Sequence, residues 1–194
     1  MENSDWANQQ REILERYHQW VQEEGGIELP VLLSTYMQPH QEARIQWLKE
    51  RTEGTVLDVG CSWGYLVTRL NGQAGVDINP NLLDIGRLLA PQVEFTEADA
   101  RNLYQFEDNS YDTVVIAETL EHLEWTIGVH TAIGEAKRVA RKKVLVTVPA
   151  PESDEAVSFK HQWVVGPREQ ATLGAMLGGE QTNLPGFICY EVSL

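Results

Sequence analysis

The segment between residues 55 and 148 alternates short apolar runs, rich in β-branched residues, with amphipathic stretches of helical periodicity. The predicted strands cover residues 55–59, 74–78, 93–97, 112–117 and 144–148. The predicted helices between them cover residues 65–70, 82–89 and 129–141. Strands that alternate with helices at this spacing are typical of βαβ units, which build a parallel sheet with helices on both faces. The sequence therefore predicts a three-layer α/β fold in which the strand C-termini share one edge.

Two further helices are predicted ahead of this segment, over residues 3–24 and 41–51, from the spacing of their apolar residues. Trp6, Tyr17 and Trp20 form an aromatic stripe on the first of them. We interpret this stripe as a packing surface, with the lining of an aromatic substrate pocket as the alternative.

The end of the chain breaks the alternating pattern. A polar, proline-punctuated loop is followed by a predicted helix over residues 167–177 and a last strand over residues 186–194, which suits a closing antiparallel hairpin. The sheet is therefore predicted to be mostly parallel with an antiparallel C-terminal strand. We interpret the chain as a single domain with a helical N-terminal cap, a ligand-binding core and a closing segment, over residues 1–52, 53–150 and 151–194.

Acidic residues outnumber basic ones by 29 to 15, which gives a formal net charge of −14. Non-specific nucleic-acid affinity depends on Lys and Arg, so this charge disfavours a nucleic-acid partner. The densest basic stretch, residues 137–143, is interpreted as cations at a helix C-terminus. No apolar run reaches the roughly 18 residues of a membrane span, and the polar N-terminus does not resemble a secretory signal. With two cysteines and no disulfide framework, we expect a cytoplasmic protein.

A glycine-containing turn follows the first predicted strand, in the sequence VLDVGCSWGY. Gly60 and Gly64 permit a tight turn and a close approach of a ligand to the backbone, and the following helix N-terminus presents free N–H groups. Asp58 precedes the first glycine by two residues. A carboxylate at this position repels a pyrophosphate but attracts a ligand with an ammonium or sulfonium group.

Carboxylates also follow the next two strands, where ligands bind in open parallel sheets. Asp77 ends the second strand, 19 residues after Asp58, where a carboxylate can accept two ribose hydroxyls. Asp99 follows the third strand, where it can accept a hydrogen bond from an exocyclic amine such as that of adenine. Each of the three could instead cap a helix or shape a turn, but their joint occurrence favours a ligand site.

Five sequence segments together resemble the successive motifs of class I S-adenosylmethionine-dependent methyltransferases. They are VLDVGCSWGY, GVDINPNLLDIGR, EADARNL, YDTVVIAETLEHL and EAKRVARKKVLVTVP. The resemblance is strongest to the branch of quinone-biosynthesis and other small-molecule methyltransferases, and it covers about residues 54–150. It implies a Rossmann-like sheet, S-adenosylmethionine as cofactor, and methyl transfer by in-line displacement to a small-molecule acceptor. We expect a monomer or a homodimer.

The resemblance also implies which residues hold the cofactor. Asp58, Gly60, Cys61 and Gly64 would hold its methionine part. Ser62 stands where many family members have a second glycine, and we expect it to shift the loop slightly while still contacting the cofactor.

The remaining cofactor contacts implied by the resemblance follow later strands. Asp77 would bind the ribose, and Ile78 would pack on the adenine. Asp99 and Ala100 would meet the adenine edge, and Glu118 would lie near the methionine moiety.

His122 follows the fourth predicted strand and is the predicted catalytic base. The alternative is that it only orients the loop, since similar methyltransferases often carry Glu-His at this position. A base is needed only where the acceptor atom carries a proton that must leave.

Three other functions stay open at this stage. Glu118, Glu121, His122 and His161 resemble the metal site of small-RNA terminal 2′-O-methyltransferases, which would make RNA the substrate and a divalent ion such as Mn²⁺ a cofactor. We do not predict a metal, because the same pattern occurs in relatives without one and the chain is acidic. A non-catalytic cofactor-binding or interaction module is the second alternative. A nicotinamide dehydrogenase is the third, although its glycine pattern would require glycines at positions 62 and 65.

Overall fold

The computed structural model describes residues 2–24, 28, 39–152 and 161–194. Seven strands form one sheet in the order β3-β2-β1-β4-β5-β7-β6. The strands are β1 (Val56–Val59), β2 (Ala74–Asp77), β3 (Glu94–Glu97), β4 (Tyr111–Ala117), β5 (Ala140–Pro149), β6 (Glu180–Leu184) and β7 (Phe187–Ser193).

Six α-helices are present in the same part of the chain. They are α1 (Glu2–Glu24), α2 (Pro39–Arg51), α3 (Tyr65–Arg69), α4 (Pro80–Leu89), α5 (Ile127–Val139) and α6 (Pro167–Leu177), and a 3-10 turn covers Leu120–His122. Asn79 caps α4 by accepting a hydrogen bond from the Asn81 N–H at 3.0 Å, and Pro80 occupies the first helical position.

The strand directions confirm the predicted α/β sheet. Strands β3, β2, β1, β4 and β5 are parallel, and β7 is antiparallel to both β5 and β6. Strand β6 completes the hairpin that the tail suggested, but its sequence, EQTNL, has no apolar alternation from which its bounds could be predicted.

The basic stretch at residues 137–143 differs from the prediction. Helix α5 ends at Val139 and β5 begins at Ala140, so only Lys137 and Arg138 lie in the last helical turn. The remaining cations belong to the strand, where Arg141 pairs with Asp112 at 3.0 Å. The chain turns from helix to strand without a linker because Ala140 already pairs with β4.

Two apolar layers hold the helices on the sheet. On one face, α5 and α6 cover inward residues of alternating strand positions, such as Val114 and Ile116 of β4. On the other face, α2 and α3 cover Val115 together with Phe187. Because the second half of β4, Val114–Ala117, is buried on both faces, its sequence there is continuously apolar instead of alternating.

Helix α1 packs near the C-terminal edge of the sheet rather than on its face. Ile13 and Tyr17 are buried against Trp63 and Ile85, and Arg16 forms an ion pair of 2.7 Å with Asp84 of α4. The structure thus confirms packing as the role of Tyr17 in the aromatic stripe. The side chain of Trp6 lies outside the described residues. In the described part of the chain, no helix combines the length and apolar composition needed to cross a bilayer.

Tyr17 anchors α1, so its removal is expected to destabilise the fold. Truncation of a buried aromatic side chain to alanine costs about 3–5 kcal/mol, so we expect Tyr17→Ala to lower the free energy of unfolding by roughly 3 kcal/mol. Leu14→Ala is the matched control, because Leu14 lies on the same helix and is 37% exposed. We expect this control to change stability by less than about 0.5 kcal/mol. Urea unfolding followed by circular dichroism measures both, and equal effects of the two variants would contradict the assigned docking.

Candidate functional site

A cleft of about 530 Å³ opens at the C-terminal edge of the sheet. It lies where the chain leaves β1 toward β2 on one side and later returns as β4 on the other, which is the place where ligands bind in open α/β sheets. Its lining comes from the segments after β1, β2, β3 and β4 and from α1. The lining residues are Trp20, Gly60, Ser62, Asp77, Ile78, Asn79, Leu82, Ala98, Asp99, Ala100, Arg101, Ala117, Glu118, Thr119, His122, Leu123, Glu124 and Gln162.

The turn after β1 is held against the turn after β4. Gly60 has a φ of +81°, and a Cβ atom built on it would overlap the side chain of Thr119. The Thr119 hydroxyl donates to the carbonyl of Val59 at 3.2 Å, which joins the two turns. Glycine is therefore required at position 60 both by its backbone conformation and by this contact. Ser62 also lies in the left-handed region, with a φ of +53°, so the loop keeps a glycine-like conformation where the sequence has serine.

Asp77 is held in a fixed orientation at the end of β2. Its two carboxylate oxygens accept hydrogen bonds from the backbone N–H groups of Ser62 at 2.8 Å and Asn79 at 2.9 Å. Burial raises the pKa of Asp77, and these two hydrogen bonds oppose the shift. The neighbouring Ile78 is 65% exposed and lines the same cleft. A large apolar side chain exposed beside a fixed carboxylate is suited to a ligand with a flat apolar face and hydroxyl groups.

Asp99 lines the cleft next to Ala100, but its carboxylate is already engaged. The guanidinium of Arg101 binds it through Nε at 2.9 Å and through Nη2, and the Arg101 backbone N–H donates to it at 2.8 Å. The hydrogen bonds from the Arg101 side chain lower the pKa of Asp99. Arg101 carried no signal in the sequence, because a single arginine after a strand is ordinary.

Asp58 lies beneath the cleft and is not part of its surface. It is 1% exposed, and burial raises its pKa from 3.8 to about 7, although the nearby Arg44 guanidinium opposes the shift. Two other predicted contacts also lie off the cleft surface. Cys61 packs its side chain against Gly75, and Gly64, with a φ of +84°, precedes α3.

Glu118 follows β4 with a φ of +53° and lines the cleft. Its Oε1 accepts a hydrogen bond from the Thr147 hydroxyl at 3.0 Å and lies 3.5 Å from the Arg44 guanidinium. A positive φ at a non-glycine residue is strained and persists only where the surroundings hold it. These contacts hold the Glu118 carboxylate at the central strand of the sheet.

Arg44 is the main residue that the sequence analysis missed. It lies on α2, is 1% exposed, and its guanidinium stacks 4.8 Å from the ring centroid of Phe187. Its signal was present in the sequence: Gln41 and Arg44 occupy the i and i+3 positions of an apolar rhythm that continues with Ile45 and Leu48. Polar residues at core positions of a helix indicate a buried polar partner, which here is the carboxylate of Glu118.

His122 lines the cleft beside two further side chains of ligand type. The ring centroids of His122 and His161 lie 4.7 Å apart at an angle of 76°. The Oε1 atom of Glu121 lies 4.0 Å from Nε2 of His161, and the side chain of Glu121 is buried. The structure therefore brings together three of the four residues that the sequence analysis compared with a metal site, although it predicted no metal.

Comparison with known proteins agrees with this geometry. Residues 57–148 match the family described as a methyltransferase domain. Over 91 residues, the chain is 33% identical to a ubiquinone biosynthesis O-methyltransferase of Xanthomonas euvesicatoria, and the alignment covers 41% of this chain and 38% of that protein. The chain thus spans well under half the length of that relative. Residues 57–148 therefore resemble a methyltransferase domain.

Solved structures of methyltransferases share the fold of this chain. A protein of Thermotoga maritima described as a possible histamine N-methyltransferase has a TM-score of 0.67 and 16% identity, with 94% of this chain and 96% of that chain covered. An S-adenosylmethionine-dependent methyltransferase of Archaeoglobus fulgidus has a TM-score of 0.66 and 17% identity, with 86% and 100% covered. The predicted Rossmann-like sheet is confirmed.

The buried Asp58 makes the stability of the methyltransferase domain dependent on pH. The folded state holds its proton up to about pH 7, whereas the unfolded chain releases it near pH 4. The folded state therefore binds more protons between these values, and Asp58 stabilises the fold less as the pH rises through this window. Asp58→Asn keeps the group neutral, so we expect the variant to gain stability relative to the natural protein between about pH 4 and pH 7.

Asp112→Asn is the control for this measurement. Hydrogen bonds from Thr55 lower the pKa of Asp112 to about 2. The stabilising effect of Asp112 is present above pH 4 and is lost as the pH falls toward 2. The contribution of Asp112 to stability therefore rises with pH, whereas that of Asp58 falls. Urea unfolding measured from about pH 2 to pH 7 covers the effects of both variants. A pH-independent difference between Asp58→Asn and the natural protein would contradict the raised pKa of Asp58.

Proposed function

We propose that this methyltransferase domain transfers a methyl group from S-adenosylmethionine to a small-molecule acceptor. The observation that carries the proposal is the carboxylate of Asp77, fixed by two backbone N–H groups at the cleft, with the exposed Ile78 beside it. When bound, S-adenosylmethionine supplies an electrophilic methyl group on a positively charged sulfur. The residues of the chain then bind the cofactor, orient the acceptor and exclude water from the cleft.

The residues along the cleft suit the parts of this cofactor. Asp77 can accept hydrogen bonds from two ribose hydroxyls, because each of its oxygens keeps a lone pair beyond the backbone hydrogen bond that it already accepts. Ile78 offers an apolar surface for the adenine ring. Asp99 and Ala100 lie on the segment after β3 and suit the adenine edge, with Arg101 sharing the carboxylate.

The methionine part suits the segment between β1 and β4. Gly60 and Ser62 line the cleft there, and Glu118 faces it from the end of β4. Asp58, Cys61 and Gly64 support this segment from behind it, Asp58 as a buried carboxyl group and Gly64 as the residue before α3. Carboxyl groups near the cleft favour a cofactor with a positively charged sulfonium and ammonium group.

The other end of the cleft suits a small acceptor. It is lined by His122, Leu123 and Gln162, and the whole cleft has the size of a small-molecule pocket. Arg101 is the cationic side chain among the described lining residues, and it is ion-paired with Asp99. This charge distribution disfavours a polyanionic substrate such as RNA. It supports a neutral or cationic acceptor.

His122 is the residue that we propose as the group acting on the acceptor. It lies on the 3-10 turn after β4 and reaches the cleft from the side of Gln162. A positioned imidazole can accept the proton that an oxygen or nitrogen acceptor loses.

The role of Asp77 is testable by binding alone. Loss of hydrogen bonds to a charged group costs about 1.5–3 kcal/mol, so we expect Asp77→Asn to weaken the binding of S-adenosylhomocysteine by roughly 10–100-fold. Asp108→Asn is the control, because the Asp108 side chain is 70% exposed and pairs with Arg138 outside the cleft. Isothermal titration calorimetry measures both, with NAD titrated in parallel. Binding of NAD in place of S-adenosylhomocysteine would overturn the proposed function.

Methyl transfer is testable without knowledge of the acceptor. We expect the protein to transfer label from methyl-labelled S-adenosylmethionine into the small-molecule fraction of an extract from its source cells. Asp77→Asn should lower this labelling in proportion to its loss of cofactor affinity at limiting cofactor concentration. His122→Asn should lower it without a comparable loss of S-adenosylhomocysteine affinity, if the imidazole acts on the acceptor. Label confined to RNA or protein would contradict a small-molecule acceptor, and no label above the heat-inactivated control would favour a non-catalytic module.

A further inference from the structure

Three metal-ligating side chains meet at the acceptor end of the cleft. One carboxylate oxygen of Glu121 and one ring nitrogen each of His122 and His161 all lie within 4.8 Å of one another. Glu121 is 1% exposed, the side chain of His161 is 8% exposed, and His122 lines the cleft. The group therefore has a buried side and a side that faces the ligand space.

The two chain segments that supply these residues are tied together by hydrogen bonds. The Gln162 backbone N–H donates to the carbonyl of Glu121 at 2.8 Å, and its side-chain amide donates to the carbonyl of His122 at 2.9 Å. The indole N–H of Trp163 donates to the carbonyl of Leu123 at 3.0 Å. These three bonds join the segment after β4 to residues 161–163, so the ligand side chains are brought together by the fold and not by chance exposure.

The spacing of the three ligand atoms is compatible with a metal site. The Glu121 oxygen and the His161 nitrogen are 4.0 Å apart, which is too long for a hydrogen bond. Ligand atoms bound to one ion at about 2.0–2.2 Å lie roughly 3–3.6 Å from each other. Coordination of a common ion therefore requires the three ligand atoms to move closer together than they lie here.

We propose that Glu121, His122 and His161 bind one divalent transition-metal ion whose open coordination positions face the acceptor end of the cleft. Two imidazoles and one carboxylate suit ions such as Mn²⁺, Fe²⁺, Co²⁺ and Zn²⁺. Three protein ligands leave at least one position for an oxygen or nitrogen of the acceptor, and an ion lowers the pKa of a group that it binds. The binding of the acceptor to the ion rests on the proposed methyl transfer, whereas the binding of the ion to the protein does not.

Glu118 is not part of this site. It lies outside the group of three, and its carboxylate is held on the side of β5 by Thr147 and Arg44. The structure thus separates the four ligand candidates of the sequence into one residue beside Arg44 and three that share a site. Without an ion, His122 keeps the proposed role of a base. With an ion bound, His122 would act on the acceptor through that ion, because a coordinated imidazole nitrogen cannot also accept a proton, and the ion would lower the pKa of the acceptor group.

Direct metal binding tests the site independently of catalysis. The whole protein, stripped with EDTA and desalted, is titrated with Mn²⁺ while free Mn²⁺ is followed by electron paramagnetic resonance, and with Co²⁺ while its visible absorption is recorded. We expect one equivalent to bind. His161→Ala and Glu121→Gln should each weaken binding by about tenfold or more. His130→Ala is the matched control, since His130 is an exposed histidine of α5 outside the group, and it should bind like the natural protein.

Two outcomes overturn the proposal. One is the absence of stoichiometric Mn²⁺ and Co²⁺ binding by the folded natural protein. The other is unchanged binding in His161→Ala, which is the more informative variant if Glu121→Gln does not fold, as judged by circular dichroism. S-adenosylhomocysteine affinity, measured on the same metal-free protein, separates this result from the proposed function. Failure to bind S-adenosylhomocysteine would refute the methyltransferase proposal and leave the metal site standing.

Methyl-transfer reactions with EDTA added test whether the acceptor binds the ion. We expect EDTA to reduce labelling of the small-molecule fraction and Mn²⁺ to restore it, with no restoration in His161→Ala. Labelling that resists EDTA would overturn the proposed binding of the acceptor to the ion.

Discussion

The parallel pairing of β1 with β4 determines where the functional side chains of this protein lie. Val59 pairs with Ile116, so the two strands end together and the turns that follow them must share the same space. Gly60 makes this possible, because any side chain there would overlap Thr119. The sheet extends from this pair in both directions, which places Asp77 on one side of the cleft and Glu118 on the other.

Beneath this junction the fold contains a buried set of charges that apolar packing alone would not require. Arg44 reaches from α2 to Glu118 and also acts electrostatically on Asp58. Buried charges are costly to desolvate, and removal of one partner leaves the other uncompensated, at a cost of about 3–5 kcal/mol. Here Arg44 holds the Glu118 carboxylate at the cleft. Burial raises the pKa of Asp58 to about 7 against the opposing effect of Arg44, so the charge beneath the cleft depends on pH.

The sequence predicted the elements of the core well because each had its own periodicity. Helix α6 begins and ends at the predicted residues, and β2 differs from its prediction by one residue. The boundary between α5 and β5 was wrong, because Ala140 and Arg141 suit either element and pairing with β4 decides between them. The bounds of strand β6 could not be predicted either, because its residues are polar and its place in the sheet depends on pairing with β7.

The carboxylates at strand ends were predictable, since topology alone places Asp77, Asp99 and Glu118 at one edge. Which carboxylates reach the surface of the cleft, and which of these already have a partner, was not predictable. Asp58 is buried and Asp99 is bound by Arg101, and both results depend on side-chain packing that no spacing rule contains. Arg44 shows the converse, because its helical position marked it as buried but nothing in the sequence identified Glu118 as its partner.

The acceptor end of the cleft is where topology and packing combine. The strand order determines the position of His122, because the turn after β4 faces the switch point of the sheet. His161 comes from a segment beyond β5. The hydrogen bonds of Gln162 join these two segments and give the histidines a common neighbour in Glu121. A lone histidine at a cleft is a potential base. Two histidines and a buried carboxylate that converge there match the ligand types of the proposed metal site. Under that proposal, the chemistry available to an acceptor would depend on the ion that is bound.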